Sequence, residues 1–140
     1  AANQNHKKAQ FYLARIYLSR QNIKKAIYYL TFSANQNYTE SLFFLAIFNL
    51  NGLYIKNNTE KGVEYLIKCA KCESKFSVEA NFIIGYFYHT GLHVQQDIKK
   101  AIKSYKEASS FNFALAKNNL GTIYKNGIEN EIQKRVRMGN

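Results

Sequence analysis

Apolar and small residues recur along this chain in blocks with helical spacing. Ala80, Ile84, Gly85 and Tyr88 stand at i, i+4, i+5 and i+8, a set that shares one side of an α-helix. The block ends at Gly91, a residue type that closes helices by adopting a positive φ. A second amphipathic block then runs through Asp97, Lys100, Ala101, Tyr105 and Ala108. The spacing therefore predicts two helices joined by a short turn. The first block returns 36 residues later as Ala116, Leu120, Gly121, Tyr124 and Gly127. A looser copy, Ser41, Leu45, Ala46, Asn49 and Gly52, lies 39 residues before Ala80, and Ala9, Leu13, Ala14 and Tyr17 lie 32 residues before that. Their second halves are Asn58, Lys61, Gly62, Leu66, Cys69 and Ala70, and Lys25, Ala26, Leu30, Ser33 and Ala34.

Self-similarity at a period of roughly 20–50 residues marks a stacked-repeat architecture. A single helix–turn–helix unit cannot bury its apolar stripe alone, so neighbours must stack. The chain reads as one solenoid domain over residues 1–140, with repeats at about 5–37, 38–75, 76–112 and 113–140. Gly52, Gly91 and Gly127 are expected to end first helices. Gly85 and Gly121 sit inside a stripe, where glycine costs about 1 kcal/mol against alanine. That cost is reasonable where a neighbouring helix must approach closely. The first copy has a shorter turn, and extra residues around Glu73–Val78 lengthen the loop after the second. Ile128–Met138 is expected to be a cap or the beginning of a further repeat.

The residues resemble the Sel-1-like repeat, a relative of the tetratricopeptide repeat, whose pattern is A-x₃-L-G-x₂-Y-x₂-G-x-G-V-x₂-D-x₂-K-A-x₂-W-Y-x₂-A-A. Gly91, Val94, Asp97, Lys100, Ala101 and Tyr105 match it in the third copy, and the resemblance covers roughly residues 9–127. The usual Trp-Tyr pair stands here as Tyr29-Leu30, Tyr65-Leu66 and Ser104-Tyr105. The resemblance implies an all-α fold, a right-handed α/α superhelix of about four hairpins. It also implies a non-enzymatic adaptor or scaffold that assembles complexes. Some secreted relatives carry a cysteine pair in every unit. This chain does not, so their disulfide framework is not carried over.

Composition adds bounds. Among 140 residues, 46% are hydrophobic and none is proline, which suits a folded chain of uninterrupted helices. The longest apolar run, Leu42–Phe48, has seven residues, far below the roughly 20 that span a bilayer. The chain opens on Ala1 without an apolar signal core, and the expectation is a mature or excised piece of something longer. Twenty Lys and Arg against nine Asp and Glu give a net charge of +11. Sixteen asparagines point to a compositional bias that also enriches lysine. The sequons at Asn37 and Asn57 are about what chance supplies at that frequency.

Tetratricopeptide-like stacks bind partners on the face of their first helices. Phe11, Phe43, Phe82 and Asn118 recur in register there, followed one turn on by Arg15, Ile47, Tyr86 and Thr122, then by Leu18, Leu50, His89 and Lys125. Aromatic rings among Arg, His, Asn and Lys suit a concave groove for an extended peptide or a helix. The alternative is that Phe11, Phe43 and Phe82 pack between helices. Lys99, Lys103 and Lys106 share one face of the third hairpin's second helix, with Lys100 beside them. Lys24, Lys25, Lys61 and Lys68 occupy comparable positions, and Lys134, Arg135 and Arg137 extend the charge to the C-terminus. Such a surface suits phosphates of nucleic acid or anionic lipid, and alternatively is only a solvated outer face.

Catalytic chemistry is not indicated. Cys69-x₂-Cys72 has no second pair to complete a zinc site, and Cys69 falls on the repeat's small-residue position. His89 and His93 are separated by Gly91 and lack a neighbouring carboxylate. No Gly-rich phosphate loop and no nucleophile–base arrangement stands out. The sequence therefore predicts no metal, no cofactor and no enzymatic activity. It predicts a protein-binding adaptor. The alternative is a basic structural subunit of a ribonucleoprotein or membrane-associated assembly, held through the lysine-rich helices.

Overall fold

The computed structural model describes residues 2–109 and 114–138. Three hairpins follow one another: α1 (Ala2–Ser19) with α2 (Ile23–Asn35), α3 (Thr39–Asn51) with α4 (Thr59–Ala70), and α5 (Lys75–Thr90) with α6 (Ile98–Ser109). A long helix, α7 (Ala114–Met138), lies against α6. Among the described residues there is no strand. Each helix packs on its sequence neighbours, and α3 and α5 also meet directly. This nearest-neighbour organisation is that of an all-α solenoid.

Every hairpin closes in the same way. The backbone N–H groups of Asn22, Asn58 and Asp97 donate to the carbonyls of Tyr17, Asn49 and Tyr88, each at 2.9 Å. The same three side chains then cap the second helices, their Oδ1 atoms accepting from the N–H groups of Lys25 (3.3 Å), Lys61 (3.1 Å) and Lys100 (3.1 Å). A cap of this kind contributes about 1 kcal/mol. The short first turn reaches the same closure with Gln21 at φ 60°, without the glycine used later. In the longer turns Gly52 (φ 66°) and Gly91 (φ 79°) end α3 and α5 in the left-handed conformation. Tyr54 and His93, at the pattern's second glycine position, also take positive φ. Their rings rest on Phe48 and Phe87 respectively, both with centroids 5.1 Å apart.

Small residues set the helix crossings. Ala26, Gly62 and Ala101 are buried at equivalent points of the second helices. A Cβ on Gly62 would come within 2.7 Å of Leu50 Cγ. In the third hairpin the tight partner is Tyr105, wholly buried, and a Cβ on Gly85 would lie 2.6 Å from two of its ring carbons. The equivalent repeat positions hold Ala14 with Leu30 and Ala46 with Leu66, a methyl group facing a smaller side chain. Buried hydroxyls stitch successive hairpins: Ser41 Oγ donates to Ser33 Oγ (2.7 Å), and Ser77 Oγ to the Cys69 carbonyl (2.9 Å).

The last copy departs from expectation. Gly127 does not end a helix; α7 runs through it to Met138, so Ile128–Met138 forms no separate element. Six residues beyond Gly52 and Gly91 stand the capping Asn58 and Asp97, whereas the same offset from Gly127 reaches Gln133, a weaker cap. Without a capped second helix to fold back, the first helix continues. Gly121 likewise has no close neighbour, since a Cβ there would meet nothing within 4 Å.

These two glycines should therefore respond in opposite directions. Gly85→Ala is expected to lose about 2 kcal/mol to overpacking, and Gly121→Ala to gain up to about 1 kcal/mol of helix propensity. Adding Tyr105→Leu to Gly85→Ala, which recreates the pairing of the second hairpin, should recover much of the loss. Urea unfolding measures all three. A Gly85→Ala protein as stable as the parent would show that Tyr105 does not stand over this position.

Candidate protein-binding faces

The first-helix residues divide sharply by position. Phe11 is 4% exposed, ringed by Tyr12, Tyr38 and Phe44 at centroid distances of 5.4, 5.4 and 5.2 Å. It is a core residue and offers no ring to a partner. Phe43 is half-buried against Phe76 at 5.3 Å, and Phe82 is half-buried against Tyr105 at 5.9 Å. These two fill seams between helices. Asn118, the fourth member of that row, is exposed.

The row one turn on is the open one. Arg15 and Thr122 are exposed, Tyr86 is 44% exposed, and Ile47 is half-buried. At 100° per residue, Tyr86 stands a quarter-turn or more from Gly85, which meets Tyr105 of the second helix, so it lies to the side of that contact. On α5 the residues Phe82, Gly85 and His89 share an inner stripe around Tyr105, while Glu79, Ile83, Tyr86 and Thr90 form the outward one. Ile83 was not among the sequence candidates; its spacing from Tyr86 and Thr90 was the available signal. His89 Nδ1 lies 3.4 Å from the Tyr105 hydroxyl, which also accepts from Asn119 Nδ2 at 3.3 Å. His89 is thus tied into the third hairpin, and Lys125 is exposed on α7. The sequence candidates therefore do not form one surface. Arg15, Tyr86, Asn118, Thr122 and Lys125 are accessible, with Phe43, Phe82 and His89 partly beneath.

Lys99, Lys100, Lys103 and Lys106 are all exposed on α6. Lys100 differs from the others because its ammonium sits 5.3 Å from the centre of the Tyr88 ring. Lys25 stands over Tyr17 in the first hairpin at 5.5 Å, a repeat of the same cation–π contact. The second hairpin has Asn49 at that place and no ring for Lys61.

Cys69 is fully buried, its Sγ 3.8 Å from the carbonyls of Thr39 and Phe76. Burial above all, with smaller contributions from Cys72, Glu40 and Glu79, pushes its thiol up to about 12. Such a thiol stays protonated and is a poor nucleophile and metal ligand. His89 and His93 rest on different rings, those of Tyr105 and Phe87. Among the described residues no group of three or more His, Cys, Asp or Glu stands together to hold a metal ion, and no helix is long and apolar enough to cross a membrane.

The family model described as Sel1 repeat matches residues 7–38, 39–74 and 78–110. No curated protein sequence matches the chain. Among solved structures, a Sel1 repeat protein from Oxalobacter formigenes superposes with a TM-score of 0.76 at 23% identity, over 86% of this chain and 92% of that one. A protective antigen of uropathogenic Escherichia coli strains with an SLR fold gives a TM-score of 0.76 at 22% identity, over 90% of this chain and 27% of its own length. Helicobacter pylori cysteine rich protein B gives 0.63 at 26% identity, over 84% of this chain and 90% of that one.

The cysteines supply a direct check on the packing. Iodoacetamide at pH 8 is expected to alkylate half-buried Cys72 and spare Cys69 until the protein is unfolded. The unfolded chain releases the Cys69 proton near its ordinary value of 9.0, while the folded chain holds it to about 12. The stabilisation is thus complete below about pH 9 and is lost as pH rises toward 12. Cys69→Ala should make that alkaline decline shallower in urea titrations. Rapid alkylation of both thiols in the native protein would contradict the burial of Cys69.

Proposed function

This chain belongs to the Sel1 repeat family, and from that premise we propose that it is an adaptor holding a segment of a partner protein along the face of its first helices, α1, α3, α5 and α7. Sel1 repeat proteins are generally protein-interaction modules, and the family is typically a non-enzymatic scaffold. The observation that carries the choice of face is the open row of Arg15, Ile47, Tyr86 and Thr122, equivalent positions of four successive copies. Direct packing of α3 on α5, without comparable packing of α4 on α6, supports placing the first helices on the inner side of the stack. An exposed tyrosine is the kind of residue on which interface energy concentrates. Asn118 supplies an amide for a partner backbone, and Lys125 and Arg15 supply charge at the two ends. Phe43, Phe82 and His89 support these residues from below.

The row of Lys99, Lys103 and Lys106 motivates a second reading, a basic subunit of a ribonucleoprotein or membrane-associated assembly. Salt separates the two. Phosphate-driven binding weakens steeply as salt rises, whereas aromatic burial changes little.

The test is affinity capture from the source lysate at low and high salt, using the parent and a Tyr86→Ala/Asn118→Ala variant whose thermal unfolding matches it. A partner kept at high salt by the parent and bound at least tenfold more weakly by the variant is expected. A partner lost to salt and indifferent to the variant would move the function to the lysine row.

A further inference from the structure

We infer that a second binding site lies on the outer side of the stack, in the groove between α4 and α6, and takes a short acidic segment of another protein that carries an apolar anchor. At 100° per residue Tyr86 stands about half a turn from Ile84 and Tyr88. The groove over those two residues therefore opens away from the face described above. It has a volume of about 360 Å³, near the small end of ligand sites. Its floor is apolar, made by Ile67 and Ala70 of α4 with Ile84 and Tyr88 of α5. Its rim carries Lys71, Lys100 and Lys103 against one carboxylate, Glu107.

The neighbouring junction explains why this groove is open. Shifted back by one repeat, Ser104 becomes Tyr65, Lys103 becomes Glu64, Lys71 becomes Asn35 and Tyr88 becomes Asn49. Tyr65 packs on the core there, and Glu64 pairs with Lys68 at 3.7 Å. That junction has a ring and an ion pair at the positions of Ser104, Lys103 and Glu107. The second junction has a small hydroxyl, and hence a cavity bordered by three cations.

Charge complementarity selects the occupant. Lys100 is already positioned over the Tyr88 ring, so little freedom is lost when it meets a carboxylate. The last carbonyls of α4 accept from Ser77 (to Cys69, 2.9 Å) and Asn81 (to Ala70, 3.3 Å), which reduces the repulsion a carboxylate would meet at that helix end. The apolar floor accepts a side chain such as leucine. It offers no flat ring for a nucleic-acid base, because Lys100 covers Tyr88.

The test is fluorescence anisotropy with a fluorescein-labelled twelve-residue peptide of alternating glutamate and leucine. Ser104→Tyr, which places the second hairpin's residue in the groove, is expected to weaken binding at least tenfold while leaving the unfolding transition in place. Lys71→Glu/Lys103→Glu should weaken it as much, and Tyr86→Ala/Asn118→Ala should leave it unchanged. That last variant separates this site from the first-helix face. Equal affinity of the parent and Ser104→Tyr would overturn the inference. So would equal binding of a peptide with serine in place of leucine, or absence of peptide binding where oligouridine or phosphatidylserine vesicles bind.

Discussion

One backbone hydrogen bond recurs in every hairpin, from the amide of Asn22, Asn58 or Asp97 to a carbonyl near the end of the preceding helix. The residue that donates it also caps the next helix, so a single Asn or Asp fixes where the chain turns and where helix resumes. This double use explains how turns of different length give the same hairpin. The first turn spans Tyr17 to Asn22 and the later ones Asn49 to Asn58 and Tyr88 to Asp97, yet each closure measures 2.9 Å. It also bears on the last copy. Where Gln133 stands in place of the capping residue, α7 runs straight through Gly127.

With the turn fixed, side-chain volume decides how closely the helices cross. Ala26, Gly62 and Ala101 keep that crossing narrow. The third hairpin uses its largest buried side chain, Tyr105, where the others use leucine, and glycine at position 85 makes the room. Tyr105 then becomes a hub: Phe82 and His89 lean on its ring, and Asn119 donates to its hydroxyl from α7. Two residues that looked like binding groups in the sequence, Phe82 and His89, are held in place by that hub.

The same repeat logic distributes surface chemistry. Equivalent positions differ in ways that leave the backbone alone and change what faces solvent. Ser104 in place of Tyr65 opens a groove, and Lys103 in place of Glu64 changes its sign of charge.

The loop expected over Glu73–Val78 is instead largely helix, because Ser74 caps α5 and Lys75 begins it. What the sequence by itself determined is the all-α repeat architecture and the shortness of its apolar runs. These follow from local quantities: helical periodicity, Gly at positive φ in two turns and the length of apolar runs. Gly85 matches the close approach that a glycine inside an apolar stripe suggests, whereas the same reading fails at Gly121. Which face of each helix is open was decided only by tertiary structure. Phe11, Arg15 and Tyr86 all sit on first helices, but the direction in which the second helix and the next hairpin approach buries one ring and exposes the other. The fate of Gly121 and Gly127 was likewise not local, since a tight crossing or a turn needs a partner helix to fold against. Periodicity fixes which residues share a stripe; only packing fixes what each stripe meets.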